Sequence, residues 1–222
     1  TFDASAGVRA GRVSMSSRDA YLANGDDSGA VSYDYASPVI GLRWRPAEGW
    51  QLFASLARGF ESPTLGELAY RPDGSGGFNT SLQPQRSRQL ELGLKWKARD
   101  AAVELVAFEA RTDDEIGVST NAGGRSAFQN VGRTLRRGVE FAGDWRIAPA
   151  WRTQWALGSL QARYRDDFLT CAGIPCTAPT ALVAAGRHIA GAPRGTAWAE
   201  LSWRGARAGD WGLELRGAGR TA

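Results

Sequence analysis

The sequence predicts an all-β chain, folded as an antiparallel meander of about nine strands. Three observations carry this. Apolar and polar residues alternate with period two in segment after segment. No comparable stretch repeats at the helical spacing. The connections between segments alternate between short and long.

The segments run at roughly 2–18, 37–45, 50–61, 86–97, 101–116, 126–146, 151–165, 194–204 and 210–220. In 37–45, Ile40, Leu42 and Trp44 oppose Gly41 and Arg43. In 50–61 one face carries the small residues Ser55, Ala57 and Gly59. In 86–97, Leu90, Leu92, Leu94 and Trp96 oppose Gln89, Glu91, Gly93 and Lys95. In 126–146, Val139, Phe141 and Trp145 oppose Glu140 and Asp144. The last segment sets Trp211, Leu213 and Leu215 against Glu214 and Arg216. A face so small and polar suits a watery lumen better than a second apolar sheet.

Short turns fall at Pro46–Gly49, Ala98–Asp100, Ile147–Ala150 and Gly205–Gly209, and long connections near 19–36, 62–85, 117–125 and 166–193. Tight turns at one rim and long loops at the other are the habit of an outer-membrane barrel, not of an immunoglobulin-type sandwich. Seven of the nine tryptophans flank the short turns: Trp44, Trp50, Trp96, Trp145, Trp151, Trp203 and Trp211. Collected at one end, they predict an aromatic girdle at a bilayer interface. The alternative, a sandwich core, would spread them along the strands.

Composition permits this reading. Apolar residues make up 43% of the 222, and no run approaches the ~20 apolar residues of a spanning helix. A barrel shows lipid only every second side chain, so its average hydropathy stays low. The net charge is +4, but the arginines are dispersed along strands rather than gathered in a run, which argues against a nucleic-acid partner. No signal peptide opens the chain. About nine strands is an odd number, and the terminal RGAGRTA lacks an aromatic ending. Bacterial barrels have even counts and close their edges, so the chain is expected to be part of a larger barrel. Taken alone, these residues should form a curved, tilted sheet with two unpaired edges.

Several segments resemble the TonB-dependent receptor family of outer-membrane proteins. Residues 50–67 carry a Gly-Phe-x-x-Pro-x-x-x-Glu pattern at Gly59, Phe60, Pro63 and Glu67. Residues 82–97 resemble the next element, Leu-x-Pro-Glu-x-x-x-x-x-Glu-x-Gly, with Gln85 in place of the usual acid. Residues 128–141 match Asn-x-Gly-x-x-x-x-x-Gly-x-Glu at Asn130, Gly132, Gly138 and Glu140, and 186–201 look like the start of a later strand. The resemblance implies a barrel of about 22 strands around an amino-terminal plug. Residues 1–222 would then be a partial barrel domain, with the plug and the carboxy-terminal strands absent. It also implies uptake of a scarce nutrient, foremost a ferric siderophore or another iron chelate, by a receptor set in outer-membrane lipid. The TonB energy-transducing complex would act through the plug.

No enzyme chemistry is legible. His188 is the one histidine, too little for a histidine-rich metal site, and no Gly-x-Ser-x-Gly supports a catalytic triad. The glycines at 74–77 and 123–124 lack a following lysine and read as flexible external loops. Cys171 and Cys176, in CAGIPC, are expected to form a disulfide in an oxidising compartment. Candidate ligand contacts sit in the long loops and at their rim: Tyr70, Arg71, Phe78, Arg133, Arg136 and His188. Arginine suits planar anionic oxygen donors, and no cofactor or metal is implied. Two other functions stay open, a small-barrel protease or lipase and a passive porin. An upstream plug sequence would separate the receptor from both.

Overall fold

The computed structural model describes residues 1–73, 75–205 and 209–219. Nine strands form one antiparallel sheet among them: β1 (Phe2–Ser17), β2 (Gly29–Trp44), β3 (Trp50–Glu61), β4 (Gln85–Lys97), β5 (Ala101–Asp113), β8 (Thr134–Ala148), β9 (Trp151–Tyr164), β12 (Gly195–Arg204) and β13 (Asp210–Ala218). Their order in space is their order in sequence, each next to its predecessor. Of the described residues, β1 and β13 each have a partner on one side only, so the sheet is open. Two small hairpins rise from its loop end, β6 (Ile116–Ala122) with β7 (Arg125–Asn130) and β10 (Phe168–Thr170) with β11 (Ala181–Val183). Among the described residues no helix is long and apolar enough to cross a membrane, a statement about helices alone.

The register fixes what each face shows. Leu52, Leu94, Leu105, Phe141 and Leu157 are joined in one cross-strand row, and Trp50, Trp96, Val103, Gly143 and Trp155 in the next. Directly opposed residues share a face, so these rows make one continuous apolar surface. It stays uncovered: Ile40 is 55% exposed, Leu56 56%, Leu92 51% and Leu215 65%. The opposite face is charged and internally paired, with Arg43 and Arg45 on Asp3, Lys95 on Glu104, and Arg152 on Asp144. A single sheet that exposes its leucines and pairs its charges is built for lipid outside and water inside.

The tilt follows from the same register. Trp50, first after its turn, lies in the row that reaches Trp155, whereas the first residue of β9 is Trp151. With all turns at one depth, this is a rise of about four residues at ~3.3 Å over four strand spacings of ~4.8 Å, a tilt near 35°, within the range of membrane barrels. Tilted this way, the turn-flanking tryptophans form one level girdle. Trp50 lies against Trp96 with ring centroids 6.2 Å apart, and Trp151, Trp203 and Trp211 stand directly opposed.

Strands β6, β10 and β11 fall in stretches that the sequence reading gives as long connections, and two of the expected segments differ as well. β2 begins at Gly29, not near residue 37. Val31, Tyr33 and Tyr35 do alternate, but with Ser32 and Asp34 on the outward face in place of leucines, because that end has risen out of the apolar band. The segment expected at 126–146 is two strands. Gly132 (φ +85°) turns the chain between β7 and β8. Gly123 and Gly124 (φ +59° and +75°) make the tight turn from β6 to β7, the conformation a two-residue hairpin requires, so this pair is an ordered turn rather than a slack loop. Residues 206–208 of the Gly205–Gly209 turn, Gly74 and residue 220 lie outside the described residues.

Three strand glycines make room for an aromatic ring. The Cβ of a larger residue would lie 2.1 Å from the Phe53 ring at Gly93 and 2.0 Å from Trp155 at Gly143, and at Gly138 it would lie 2.8 Å from Phe108 and 2.3 Å from the Ser159 carbonyl oxygen. Each glycine is directly opposed to that aromatic, whose ring lies across the bare backbone.

Candidate functional site

The long connections interlock at the end away from the tryptophans. The β3–β4 connection starts with a capping box: the Glu67 carboxylate accepts from the Thr64 amide (2.7 Å) and hydroxyl (3.0 Å), and the Glu67 amide donates to Thr64 Oγ1 (3.3 Å). This gives Glu67 of the sequence pattern a structural reason. The connection then buries Leu68, Phe78 and Leu82 against Met15, Val31, Ile116 and Phe128, so it packs on β1, β2 and the β6–β7 hairpin. Asn130 ties its end down: the side chain accepts from the Gln83 amide (2.8 Å) and donates to the carbonyls of Gln83 (2.9 Å) and Asp114 (2.8 Å).

The last long connection, 165–194, is held to the same hairpin. Asn121 and Cys176 exchange backbone hydrogen bonds of 2.9 and 2.7 Å, and Gln129 donates to the Leu169 carbonyl (2.7 Å). Cys171 and Cys176 are joined in a disulfide, with Cα atoms 5.9 Å apart.

Below this cap, on the paired-charge face, lies a cavity of about 510 Å3 whose walls include Glu61, Gln85, Gln89, Thr112, Glu115 and Arg136. Arg136 grips Glu115 through two nitrogens (2.6 and 2.9 Å), and Thr134 donates to the same carboxylate (2.7 Å). Burial pushes the Glu115 carboxyl up, but the Arg136 and Thr134 hydrogen bonds outweigh it and leave it below its ordinary value. The walls can accept and donate hydrogen bonds to a polar solute, and Arg136 can meet an anionic oxygen. A second cavity of about 840 Å3, among Ile116, Tyr164, Phe168, Leu182, Val183 and His188, opens beside it.

The candidate residues read from sequence do not converge. Arg136 alone faces the first cavity. Tyr70 lies under the Arg125 guanidinium, 5.2 Å from it. Arg71 donates to the Phe78 carbonyl (3.3 Å). Phe78 is 3% exposed and packs the loop core, which is a correction to its reading as a ligand contact: its aromatic bulk supplies the apolar area this long loop needs to stay folded. Arg133 is clamped to Asp166 by its guanidinium (2.6–3.2 Å) and its amide (2.7 Å), which hold that carboxyl down to about 2. His188 is opposed to Arg163, which puts it on the outward side, and its Nδ1 lies 3.1 Å from the Ile189 carbonyl oxygen. Sequence reasoning missed Glu115, Gln85 and Gln89. The two glutamines were findable, since they share the polar parity of Glu91. Glu115 was not, because only the turn at Gly132 brings Arg136 to it.

The fold and its two-faced register define a membrane β-barrel of the receptor type. The chain belongs to the family described as TonB dependent receptor-like, beta-barrel, which residues 1–221 match. It is 23% identical over 147 residues to the pesticin receptor of Yersinia enterocolitica, an alignment covering 64% of this chain and 20% of that protein. Among solved structures it resembles the copper transporter OprC, with a TM-score of 0.75 at 17% identity, over 98% of this chain and 31% of that one. It also resembles the ferric yersiniabactin uptake receptor FyuA from Yersinia pestis, with a TM-score of 0.65 at 18% identity, over 97% of this chain and 31% of that one. At these identities the likeness shows the fold. The chain spans about a fifth of its curated relatives and under a third of these two structures. The family is one of outer-membrane receptors and transporters.

Proposed function

We propose that this chain supplies barrel wall and ligand-facing loops to an outer-membrane receptor that imports a scarce nutrient, a ferric siderophore or a related iron chelate. One observation carries the reading. A polar cavity bearing Arg136 sits on the lumen face, directly beneath loops that pack as one body. A solute arriving from outside meets that cap first and the arginine next. The cavity volume is within the range that small-molecule sites occupy, and the Arg136–Glu115 pair in its wall presents guanidinium donors and carboxylate acceptors side by side to a polar solute. Members of the structural neighbourhood are named for iron and copper cargoes.

The remaining parts of such a receptor, a plug inside the lumen and an energy-transducing TonB partner reached through it, belong to the same proposal, as does residence in outer-membrane lipid. The test is growth of a deletion strain under iron limitation, fed one ferric siderophore at a time and complemented with the wild-type gene or with Arg136→Gln. The expected result is loss of growth on at least one chelate, restored by the wild type and weakly by the variant. Growth on every chelate regardless of the deletion would remove iron from the proposal.

A further inference from the structure

The outward face changes character abruptly above the apolar band. On three strands an arginine stands eight residues from a girdle tryptophan: Trp50 and Arg58 on β3, Trp96 and Arg88 on β4, Trp145 and Arg137 on β8. An even spacing keeps both on one face. Eight residues at ~3.3 Å, tilted by about 35°, rise ~22 Å, close to the ~25 Å apolar height of an outer-membrane barrel. These guanidiniums therefore lie where hydrocarbon ends and headgroups begin.

The cross-strand pairing there opposes like to like. Arg58 is directly opposite Arg88, and Arg88 is directly opposite Arg111. Like charges so placed destabilise a sheet. Arg58 and Arg88 are exposed and have no carboxylate partner among the described residues; Arg111 has Glu109 at 2.7 Å. Next to this ladder a concavity of about 310 Å3 is lined by Arg88, Arg111, Arg133 and Arg165, with Asp113 as the one carboxylate in its wall. Arg133 keeps Asp166 as a partner, which leaves the hollow with more guanidinium than the protein neutralises.

We propose that this hollow binds the phosphorylated headgroup of a lipid in the surrounding outer leaflet, whose acyl chains run down the Leu90, Leu92 and Val139 surface beneath it. Charge complementarity selects the headgroup, because guanidinium forks match phosphate oxygens two at a time. Continuity with the apolar band selects a lipid over a soluble anion. The inference rests on the outward face lying in lipid, a reading tested separately by membrane fractionation. A receptor absent from the membrane fraction would strike that reading, while a membrane-borne receptor indifferent to phosphate would strike only this one.

The experiment uses the full-length receptor in neutral detergent and measures binding of lipid A, a bis-phosphorylated glycolipid, by native mass spectrometry and titration. Its dephosphorylated counterpart and inorganic phosphate are the comparison arms. Lipid A should bind at least tenfold more tightly than the dephosphorylated lipid, a comparison that needs no variant. Arg88→Gln with Arg165→Gln should lose about tenfold or more in affinity, on the scale of one to two charge-assisted contacts. Arg43→Gln, on the lumen face, should bind as the parent does. Without lipid the double variant should be at least as stable as the parent, since it removes repulsion; a merely structural role for these arginines predicts the reverse. Equal binding of both glycolipids, an unaffected double variant, or displacement by inorganic phosphate at the lipid's own concentration would each overturn the proposal.

Discussion

Leu92 offers the most direct measurement of the two-faced register. It lies four residues from Trp96 and four from Arg88 on the same face of β4, which places it at the middle of the apolar band. Arginine there should cost about 2–4 kcal/mol, the midplane value for a lipid-facing barrel position, falling toward ~0–1 near either interface. In equilibrium terms the midplane penalty is roughly 30-fold to several hundred-fold. The neighbouring lumen residue Gln89 should accept arginine for less than about 1 kcal/mol, as an exposed polar exchange. The assay is urea unfolding of the full-length receptor from phospholipid vesicles, with arginine placed in turn at 89, 90, 92 and 94. The cost should peak at 92 and nearly vanish at 89. A flat profile, or a penalty at 89 equal to that at 92, would mean both faces are buried alike and would end the membrane assignment.

Three further outcomes follow from single contacts. Asn130→Ala removes three hydrogen bonds that join Gln83, Asp114 and the β7 end; at ~0.5–1.5 kcal/mol each, less for the exposed ones, the loss should be about 1–3 kcal/mol, read as faster proteolysis within 62–84. Gly93→Ala drives a methyl into the Phe53 ring and should cost about 1–3 kcal/mol, and Phe53→Ala in the same chain should recover a good part, seen as non-additivity in a double-mutant cycle. Asp166 has a folded value near 2, below its ordinary 3.8, so its contribution is complete above 3.8 and disappears as pH falls through 2. Pepsin nicking of 165–194 should therefore be faster for Asp166→Asn than for the parent at pH 4 and equally fast in both near pH 2.

The strands were legible because a one-sided sheet writes its faces into every second residue. Leu90 to Trp96 declares its parity without any tertiary information. Legibility ended where that contrast ended. Residues 29–36 lie above the apolar band, so Ser32 and Asp34 replace leucines outside and the alternation fades although the strand continues. Gly132 hides inside what reads as one strand, because the positive φ that reverses the chain leaves no mark beyond the glycine itself. At the site, Arg136 was visible as an arginine beside a loop. Its partner Glu115 was not, since the pair spans two strands and the hairpin between them. Phe78 misled for a physical reason: a loop aromatic serves a ligand and a loop core equally well, and only burial separates the two.

The two faces handle arginine differently, and the difference has a measurable sign. A lumen arginine must find its counter-charge in protein, as Arg136 does in Glu115 and Arg152 in Asp144. At headgroup level the membrane can supply it, so Arg58, Arg88 and Arg111 can stand opposed to one another. In neutral detergent that supply is gone. Added salt then screens repulsion in the outer ladder while weakening attraction in the lumen pairs, both within a Debye length of about 10 Å at 0.1 M. Salt should therefore stabilise the parent receptor in detergent more than it stabilises Arg88→Gln, in which the centre of the ladder is neutral. The two should respond alike once a phosphorylated lipid is present, because its phosphates occupy the place the salt anions took. An identical salt response in both proteins without lipid would show that the opposed arginines do not feel one another, and the stated need for an outside anion would fall with them.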